Sequence, residues 1–324
     1  MRAALLSTGG DVFITSLLLK LWRERWYNEI DHLYINFNNH CGVSPEVVGE
    51  FFGKNAGDPK ITMIYHPGGI GNGPPQVELL KICNEDLILL LEDDFFIFEP
   101  GVVDGYFKKI ENGECDLLGS PRYTYGEVAD AAKAKYNLDY SGTGDKGFGW
   151  WPTGFYCKKS DLLKTDLDFG SKEYKAGEYF KELDHTFKET CYTDTFTWAS
   201  LQLRNMCARF IDIPQYHASP FEIEEHTKRE LKWAENPKFI HGGSLSAGWG
   251  GYLSGRLPDV SNESGKQEIE TRVAFWTIAL DQTKGYDKFR IDYGTGITDL
   301  IHYANLDTGR IDRKINIYRD LMKV

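Results

Sequence analysis

Residues 86–98 read DLILLLEDDFFIF, in which the most apolar run of the chain is followed at once by three carboxylates, Glu92, Asp93 and Asp94. The apolar run is short and unbroken, which is typical of a strand that is buried on both faces of a sheet. Three adjacent carboxylates beside a buried strand repel one another, and burial raises the cost of keeping them ionised. A divalent cation that prefers oxygen ligands, Mg²⁺ or Mn²⁺, would relieve that repulsion. An acidic turn exposed to water is the alternative interpretation.

Strands and helices alternate in the chain before this stretch. The apolar runs predict strands at 3–7, 33–37 and 61–65, and the helical patterns lie at 12–26, from residue 45 onward and at 76–82. Continuous apolar strands separated by helices indicate an open α/β sheet that is covered on both faces. In such sheets ligands bind outside the carboxyl ends of the strands. The acidic triplet, which follows the fourth strand, is therefore predicted to lie at the binding edge.

Beyond residue 100 the pattern becomes less regular. It predicts a helix at 102–110, a strand at 116–120, a long loop at 122–146 and a charged helical stretch that reaches Lys188. A further helix is predicted from Thr195, a strand ends at His241, and the tail holds helices at 267–280 and 311–322. Long loops without periodicity are typical of lids and binding loops.

The composition is that of a soluble globular protein. Of the 324 residues, 41% are hydrophobic and 14% are aromatic, which excludes disordered, collagen-like and polytopic membrane classes. The chain has 37 Lys and Arg against 48 Asp and Glu, and the net charge of -11 argues against a broad nucleic-acid or anionic-membrane surface. A local basic groove is still compatible with that sum. Its candidate residues are Arg122, Lys133, Lys135, Lys146, Lys158 and Lys159.

The cysteines and the hydropathy pattern bear on the compartment. The 6 cysteines are scattered without a C-x-x-C pair, so neither a zinc framework nor a redox pair is indicated, and reduced thiols are expected. The apolar stretch at the amino end is too short for a secretory signal, and no run approaches the ~20 apolar residues of a membrane span. We therefore expect a cytoplasmic protein.

With a Gly-rich turn after strand one and E-D-D after strand four, the chain resembles the nucleotide-sugar glycosyltransferases of the GT-A fold, in particular the family-two-like members. The resemblance rests mainly on 66–100, HPGGIGNGPPQVELLKICNEDLILLLEDDFFIFEP, where a Gly-rich loop and a helix lead into the acidic strand. It implies an open mixed Rossmann-like sheet flanked by helices, with a helical C-terminal appendage. It also implies that Glu92, Asp93 and Asp94 stand for the D-x-D motif, with Asp94 as the metal ligand and Asp93 as a ribose contact.

The resemblance implies roles for three later segments as well. In WWPTGF, small and aromatic residues would line the donor sugar and acceptor cleft, namely Trp150, Trp151, Thr153, Gly154 and Phe155. Asp194 would be the general base of an inverting enzyme, and its alternative role is to cap the helix that starts at Thr195. His241 would complete the metal shell, since neutral imidazole binds divalent metals, and its alternative is a structural histidine. Trp249, in the glycine-rich segment after it, would contact the sugar or the diphosphate.

The nucleotide would lie over the first strand ends. There the resemblance implicates Ser7, Thr8, Gly9, Asp11, Asn36, Asn38 and Gly73, together with the acidic triplet. The implied organisation is a glycosyltransferase domain at 1–250, with a nucleotide half at 1–100 and an acceptor half at 101–250, followed by a helical extension at 251–324. The implied cofactors are Mn²⁺ or Mg²⁺ and a nucleotide-diphosphate sugar, with UDP-sugars as the first choice.

Several functions remain open at this point. The acceptor could be a glycan, a protein or, as in viral and phage members, a hydroxymethylated DNA base. A sugar-phosphate nucleotidyltransferase is a second class of enzyme that uses a related sheet, but it usually carries basic residues after strand one, where this chain reads STGGDVF. A carbohydrate-binding protein on a decayed transferase fold is the non-enzymatic alternative. The oligomeric state is not predicted.

Overall fold

The chain is described from a computed structural model. The structure describes residues 1–39, 42–122, 126–137, 149–207, 209–213, 238–242, 245, 252, 255, 257–283 and 285–324. The predicted contact residue Trp249 and the groove residue Lys146 lie outside these ranges.

The centre of the fold is an open seven-stranded sheet with the order β3-β2-β1-β4-β9-β6-β14. Its strands are β1 (Ala3–Gly9), β2 (His32–Asn38), β3 (Ile61–His66), β4 (Leu87–Glu92), β6 (Leu117–Gly119), β9 (Phe155–Lys158) and β14 (Phe210–Asp212). β9 runs antiparallel to β4 and β6, and the other neighbouring pairs are parallel. β1 is buried along its whole length, as expected for a strand that has helices on both faces.

Ten α-helices are described. They are α1 (Val12–Leu21), α2 (Pro45–Asn55), α3 (Gly73–Ile82), α4 (Val102–Glu111), α5 (Glu127–Tyr136), α6 (Lys159–Leu162), α7 (Thr197–Met206), α8 (Glu263–Gln282), α9 (Asp287–Tyr303) and α10 (Thr308–Met322). α1 continues as a π-helical turn at Trp22–Trp26 and a 3-10 turn at Tyr27–Glu29. Ser44 caps α2 by accepting from the backbone N–H of Val47, and Pro45 takes the first helical position, where its missing N–H costs nothing.

Four two-stranded ribbons complete the β structure. β5 (Phe95–Ile97) pairs with β15 (Phe239–His241), β7 (Pro121–Arg122) with β8 (Gly149–Trp150), β10 (Lys172–Tyr174) with β13 (Cys191–Thr193), and β11 (Tyr179–Phe180) with β12 (His185–Thr186). All four ribbons are antiparallel.

The segment from 122 to 188 differs most from the sequence prediction. The predicted helical stretch to Lys188 is wrong, because that stretch contains β10 and both strands of the β11–β12 ribbon. Their aromatic side chains close on one another, and the Tyr174 and Phe180 rings stack with centroids 4.8 Å apart. The predicted loop at 122–146 contains α5, which buries Val128 and Ala132 against this same cluster. Tertiary aromatic packing therefore decides the local structure here.

The C-terminal helices belong to the main hydrophobic core. Phe13 of α1 stacks on Phe289 of α9 with ring centroids 5.5 Å apart, and Phe96 of β5 stacks on Phe275 of α8 at 5.3 Å. α9 was not predicted, because its buried residues are separated by exposed ones and it contains two glycines. The division of the chain at residue 250 stays a prediction.

The predicted fold class, an open mixed α/β sheet flanked by helices with a helical C-terminal segment, is confirmed. The carboxyl ends of β1 to β4 lie at one edge of this sheet because those strands run parallel. Among the described helices, none combines the length and the apolar character that a membrane span requires. The five cysteines within the described ranges are free thiols.

Candidate functional site

An acidic cluster lies where β4 ends. Glu92 is the last residue of β4, Asp94 lies in the turn to β5, and the pairing of β5 with β15 brings His241 opposite Phe95. One ligand atom from each of Glu92, Asp94 and His241 lies within 4.8 Å of the other two. His241 Nε2 lies 3.3 Å from an Asp94 oxygen and 3.8 Å from a Glu92 oxygen. The fold thus brings together side chains from two distant parts of the sequence.

Asp94 and His241 are buried, Glu92 is partly buried, and the three groups are electrostatically linked. Burial raises the pKa of the Glu92 carboxyl well above its usual range, and the charge of Asp94 raises it further. Burial also acts to raise the pKa of Asp94, but His241 and the backbone N–H of Leu245 outweigh it, and the pKa is lowered. For His241, burial acts to lower the pKa, and the charges of Asp94 and Glu92 outweigh it and raise the pKa.

These donors fit a divalent cation. Two carboxylates and an imidazole offer oxygen and nitrogen ligands of the kind that Mn²⁺ accepts. A bound cation would compensate the negative charge of the two carboxylates in place of protons. We expect metal affinity to fall at low pH, because all three ligands must then lose protons to bind.

Neighbouring groups hold the cluster in place. The Asp94 carboxylate accepts a hydrogen bond from the Leu245 N–H at 2.9 Å, and the Asp94 carbonyl accepts one from the Gly242 N–H at 2.8 Å. Asn72, just before α3, donates from Nδ2 to a Glu92 oxygen at 3.0 Å. The backbone N–H of Glu92 donates to the hydroxyl of Thr153 at 3.2 Å. These ligands are therefore oriented by hydrogen bonds from several elements.

Asp93 points toward α1 instead. Its Oδ2 accepts from the Gly10 N–H at 3.2 Å and from the Thr15 hydroxyl at 2.9 Å. Gly9 allows this approach, because a Cβ at that position would lie 2.6 Å from the Thr15 hydroxyl oxygen. The ribose contact at Asp93 stays a prediction.

The side chain of Asp11 has a structural role. Its Oδ1 caps α1 by accepting from the N–H groups of Phe13 and Ile14 at 2.8 and 3.0 Å, and the carboxyl is fully buried. The expected contact of this side chain with the nucleotide stays a prediction. Together Asp11 and Asp93 occupy the backbone amides of Gly10, just before α1, and of Phe13 and Ile14 in its first turn, which a phosphate would need in a P-loop-like site.

Replacing Asp11 with asparagine should stabilise the protein above neutral pH. Burial raises the pKa of Asp11 to about 8, and the charge of Asp93 also raises it. In the folded state Asp11 therefore keeps a proton that the unfolded chain releases near pH 4. Because of this difference, the free energy of unfolding falls as pH rises toward 8, by at most ~1.4 kcal/mol per pH unit. Asparagine caps helices equally well and carries no charge. Urea unfolding at pH 5 and pH 7.5 should show a gain that grows with pH. The exposed cap Asp307, which accepts from the N–H groups of Gly309 and Arg310, is the matched control, and an equal gain in D307N would contradict the explanation.

The other predicted nucleotide contacts lie at the same edge of the sheet and are buried. Asn36 donates to Glu78 Oε2 at 2.8 Å, and His66 Nε2 lies 2.6 Å from the same oxygen. Asn38 donates to the Gly71 carbonyl and accepts from the Ile70 N–H, both at 2.8 Å, so it orders the glycine-rich loop. Ser7, Thr8 and Gly73 are likewise buried. The side chains of Ser7, Asn36 and Asn38 have no exposed surface, so they shape the edge, and direct contact with a nucleotide stays a prediction.

Among Gly73 and the residues around it, only Gly73 was predicted from the sequence as a site residue. A Cβ at Gly73 would lie 2.1 Å from the Phe169 carbonyl oxygen, so the start of α3 can approach that backbone only with glycine. Asn72, Glu78 and His66 were missed as site residues, because their roles depend on partners in other strands. The glycine-rich composition of 68–73 was the available signal.

Asp194 follows β13 and is exposed. Its carboxylate accepts from the Thr195 N–H at 2.7 Å. The alternative that Asp194 caps a helix from Thr195 is wrong, because α7 begins at Thr197 and the cap position is Phe196, whose φ is 67°. Phe196, two residues further on, packs on Phe155 with ring centroids 5.1 Å apart, and Phe155 pairs with Leu90 of β4, so this segment lies beside the end of β4. The charge of Asp194 adds to the raised pKa of Glu92.

The structure corrects two of the predicted acceptor contacts. The Trp150 ring is fully buried, packs against Phe210 and donates from Nε1 to Asp212 at 3.0 Å. Phe155 is also fully buried, so neither ring lines an open cleft. Trp151 is half-buried and stays a candidate. Gly154 has a φ of 60°, and a Cβ there would lie 2.8 Å from the Phe95 ring, so its role is to allow close packing behind the acidic turn.

Arg272 of α8 is a basic residue that the sequence analysis missed. Burial lowers the pKa of its guanidinium, and the charges of Glu268 and Asp94 act against that shift. Its buried Nε has no hydrogen-bond partner among the described residues. No local pattern marks it, because it approaches Asp94 only through the packing of α8 on β5.

No protein-family model matches the chain, and no curated protein matches it. Solved structures with a similar fold include the 1-349 segment of S. aureus TarS in complex with UDP-GlcNAc, at 13% identity and a TM-score of 0.43, covering 99% of this chain and 92% of that one. The mannosyltransferase PcManGT from Pyrobaculum calidifontis, in complex with GDP-Man and Mn²⁺, is similar at 10% identity and a TM-score of 0.43, covering 99% of this chain and 86% of that one. At these values, a functional conclusion must come from the residues of the chain itself.

Proposed function

We propose that the protein is a metal-dependent glycosyltransferase that moves a sugar from a nucleotide-diphosphate donor, first of all a UDP-sugar, to an acceptor hydroxyl. The observation that carries the proposal is the buried cluster of Glu92, Asp94 and His241 at the carboxyl edge of an open α/β sheet. This edge is where ligands bind in such sheets. The nucleotide half at 1–100 and the acceptor half at 101–250 are part of the proposal.

Each residue of the cluster has a stated role in this proposal. Asp94 and His241 hold the cation directly, and Glu92, oriented by Asn72, completes the set. When bound, the cation supplies Lewis-acid assistance to the departing diphosphate. Asp93, which Gly10 and Thr15 hold in position, would accept a hydrogen bond from a ribose hydroxyl.

Asp194 is proposed as the general base. It takes the proton of the acceptor hydroxyl while that oxygen bonds to the anomeric carbon and the bond to the diphosphate oxygen breaks. A single displacement of this kind inverts the anomeric centre. Support for the role comes from the exposure of Asp194 and from the packing of Phe196, two residues after it, against Phe155 beside the end of β4.

The nucleotidyltransferase alternative receives less support. Such an enzyme must hold a triphosphate near strand one, but here the first amides of α1 are bonded to Asp11 and Asp93, and STGGDVF contains no basic residue. A non-catalytic carbohydrate-binding protein would gain nothing from burying two carboxylates beside a histidine, which is a costly arrangement without a cation.

Thermal unfolding with a panel of nucleotide-sugars and Mn²⁺ tests the proposal. A ligand that binds the folded state raises its stability by ~2.7 kcal/mol at a hundredfold excess over its Kd, so we expect a rise in Tm of a few degrees with one nucleotide-sugar and Mn²⁺ together. Without Mn²⁺, or with EDTA, most of the rise should disappear. A rise with nucleoside triphosphates and sugar phosphates only would instead favour nucleotidyl transfer, and release of nucleoside diphosphate from the selected donor distinguishes an enzyme from a binding protein.

A further inference from the structure

An exposed aromatic side chain lies beside the proposed base. In the β10–β13 ribbon, Glu173 is directly opposite Tyr192. Side chains alternate across a strand, so Glu173 and Tyr192 share the outward face, while Tyr174 turns inward and stacks on Phe180. Tyr192 is 74% exposed, the most exposed large hydrophobic side chain of the described residues. Its exposure is unusual, because the other aromatic residues of β10 and α7 pack into the cluster beneath.

The exposed Tyr192 side chain lies close to Asp194, the proposed general base. Only the buried Thr193 separates them along the chain, so they lie roughly 7 Å apart on the same side of an extended segment. Both side chains are exposed. Phe196, two residues beyond Asp194, packs on Phe155 with ring centroids 5.1 Å apart, and Phe155 pairs with Leu90 of β4, so this end of the ribbon borders the end of β4. A molecule whose hydroxyl reaches Asp194 would therefore extend over the Tyr192 ring.

The chemistry of this face selects among acceptors. An aromatic ring is negative on its face, and the C–H groups on one side of a pyranose ring are weakly positive, so the two pack well. Glu173, opposite Tyr192, can accept hydrogen bonds from sugar hydroxyls. The carboxylates of Glu173 and Asp194 repel phosphate groups, which disfavours a nucleic-acid backbone on this face.

We propose that Tyr192 and Glu173 form an acceptor subsite for a neutral saccharide, with the sugar ring lying on Tyr192 and its reacting hydroxyl at Asp194. This inference rests on the proposed function, because it takes Asp194 as the base. It narrows the acceptor from the open set of glycan, protein and modified DNA to a saccharide. It also assigns a binding role to a ribbon whose first strand, β10, lies in a stretch that the sequence predicted as helix.

Saturation-transfer NMR on the full chain with Mg²⁺ and UDP tests the subsite without requiring turnover. The probes are the methyl glycosides of glucose, galactose, mannose and N-acetylglucosamine, and Mg²⁺ is used because it is diamagnetic. We expect at least one glycoside to show transfer to its ring C–H protons. In Y192A its Kd should rise about five- to tenfold, while Y192F, which keeps the ring, should bind as the unmodified chain does. Y179A is the matched control, because Tyr179 is 59% exposed on the neighbouring β11.

The outcomes separate this inference from the proposed function. Failure of every glycoside to bind, or equal binding by Y192A and the unmodified chain, overturns the subsite. Binding of a hydroxymethylcytosine duplex at low salt that Y192A weakens also overturns it, in favour of a DNA acceptor. Thermal shift, measured on the same samples, detects UDP binding and so tests the donor site. If the chain does not bind UDP while Tyr192-dependent glycoside binding remains, the proposed function fails, and Tyr192 and Glu173 form a saccharide-binding site without an acceptor role.

Discussion

The variant D94N is expected to lose transferase activity by at least about 10³-fold, because it removes one charged metal ligand and the electrostatic stabilisation of the leaving diphosphate, a contribution of several kcal/mol. The variant should also lose the Tm increase that Mn²⁺ gives with a nucleotide-sugar. Fold stability should be kept, since asparagine has the same shape and its carbonyl oxygen can still accept from the Leu245 N–H. Removing one negative charge also relieves its repulsion of Glu92.

D104N is the matched control for D94N. Asp104 is an exposed residue of α4 that pairs with Lys108 at 2.5 Å, far from any role in the site. Exposed pairs of this type contribute ~0.2–1 kcal/mol, so the control should keep its activity and its response to Mn²⁺. Full activity of D94N, or a D94N protein that still responds to Mn²⁺, would remove Asp94 from the metal site.

The variant D194N is expected to lower kcat by about 10²–10⁴-fold while donor binding is kept, because only proton removal from the acceptor hydroxyl is affected. The side chain is exposed, and an asparagine oxygen can still accept from the Thr195 N–H, so the loop should keep its shape. The measurements are kcat, the donor KM and the Tm increase with nucleotide-sugar and Mn²⁺.

The stereochemistry of the product provides a second, independent check on Asp194. NMR of the product made by the unmodified chain should show an inverted anomeric centre. A retained configuration would rule out the single displacement and with it the base role of Asp194, even if D194N is inactive. D130N, an exposed residue of α5 that pairs with Lys133, serves as the control for a general effect of removing a surface carboxylate.

The first four strands and the acidic turn could be predicted because their signals are local. Each strand is a continuous apolar run of the kind that two covered faces require, and each is bounded by polar or glycine-rich turns. The order of these elements and the position where β4 ends could therefore be predicted from the apolar runs and the turns between them. The charge repulsion in Glu92, Asp93 and Asp94 is likewise visible without a structure.

What could not be predicted depends on partners that are distant in sequence. The ribbons around Tyr174 and Phe180 form because aromatic rings meet there, and no periodicity in 160–188 shows this. Sequence also could not tell that Trp150 is buried while its neighbour Trp151 is half-exposed. His241 was proposed from a resemblance, whereas its place beside Asp94 comes from the pairing of β15 with β5. Arg272 has no local signature at all.

Phe13 of α1 packs against α9, so the C-terminal helices help to fix the position of α1 beside the carboxyl edge of the sheet. Phe13 lies in the first turn of α1, between Gly10 and Thr15, the two residues that bond to Asp93. A substitution that loosens α9 at Phe289 or Tyr293 would therefore shift α1 and, through it, the carboxylate next to the metal ligand. Substitutions in the last forty or so residues can thus affect activity by displacing α1. A variant of this region that loses activity would therefore not by itself indicate a second active surface.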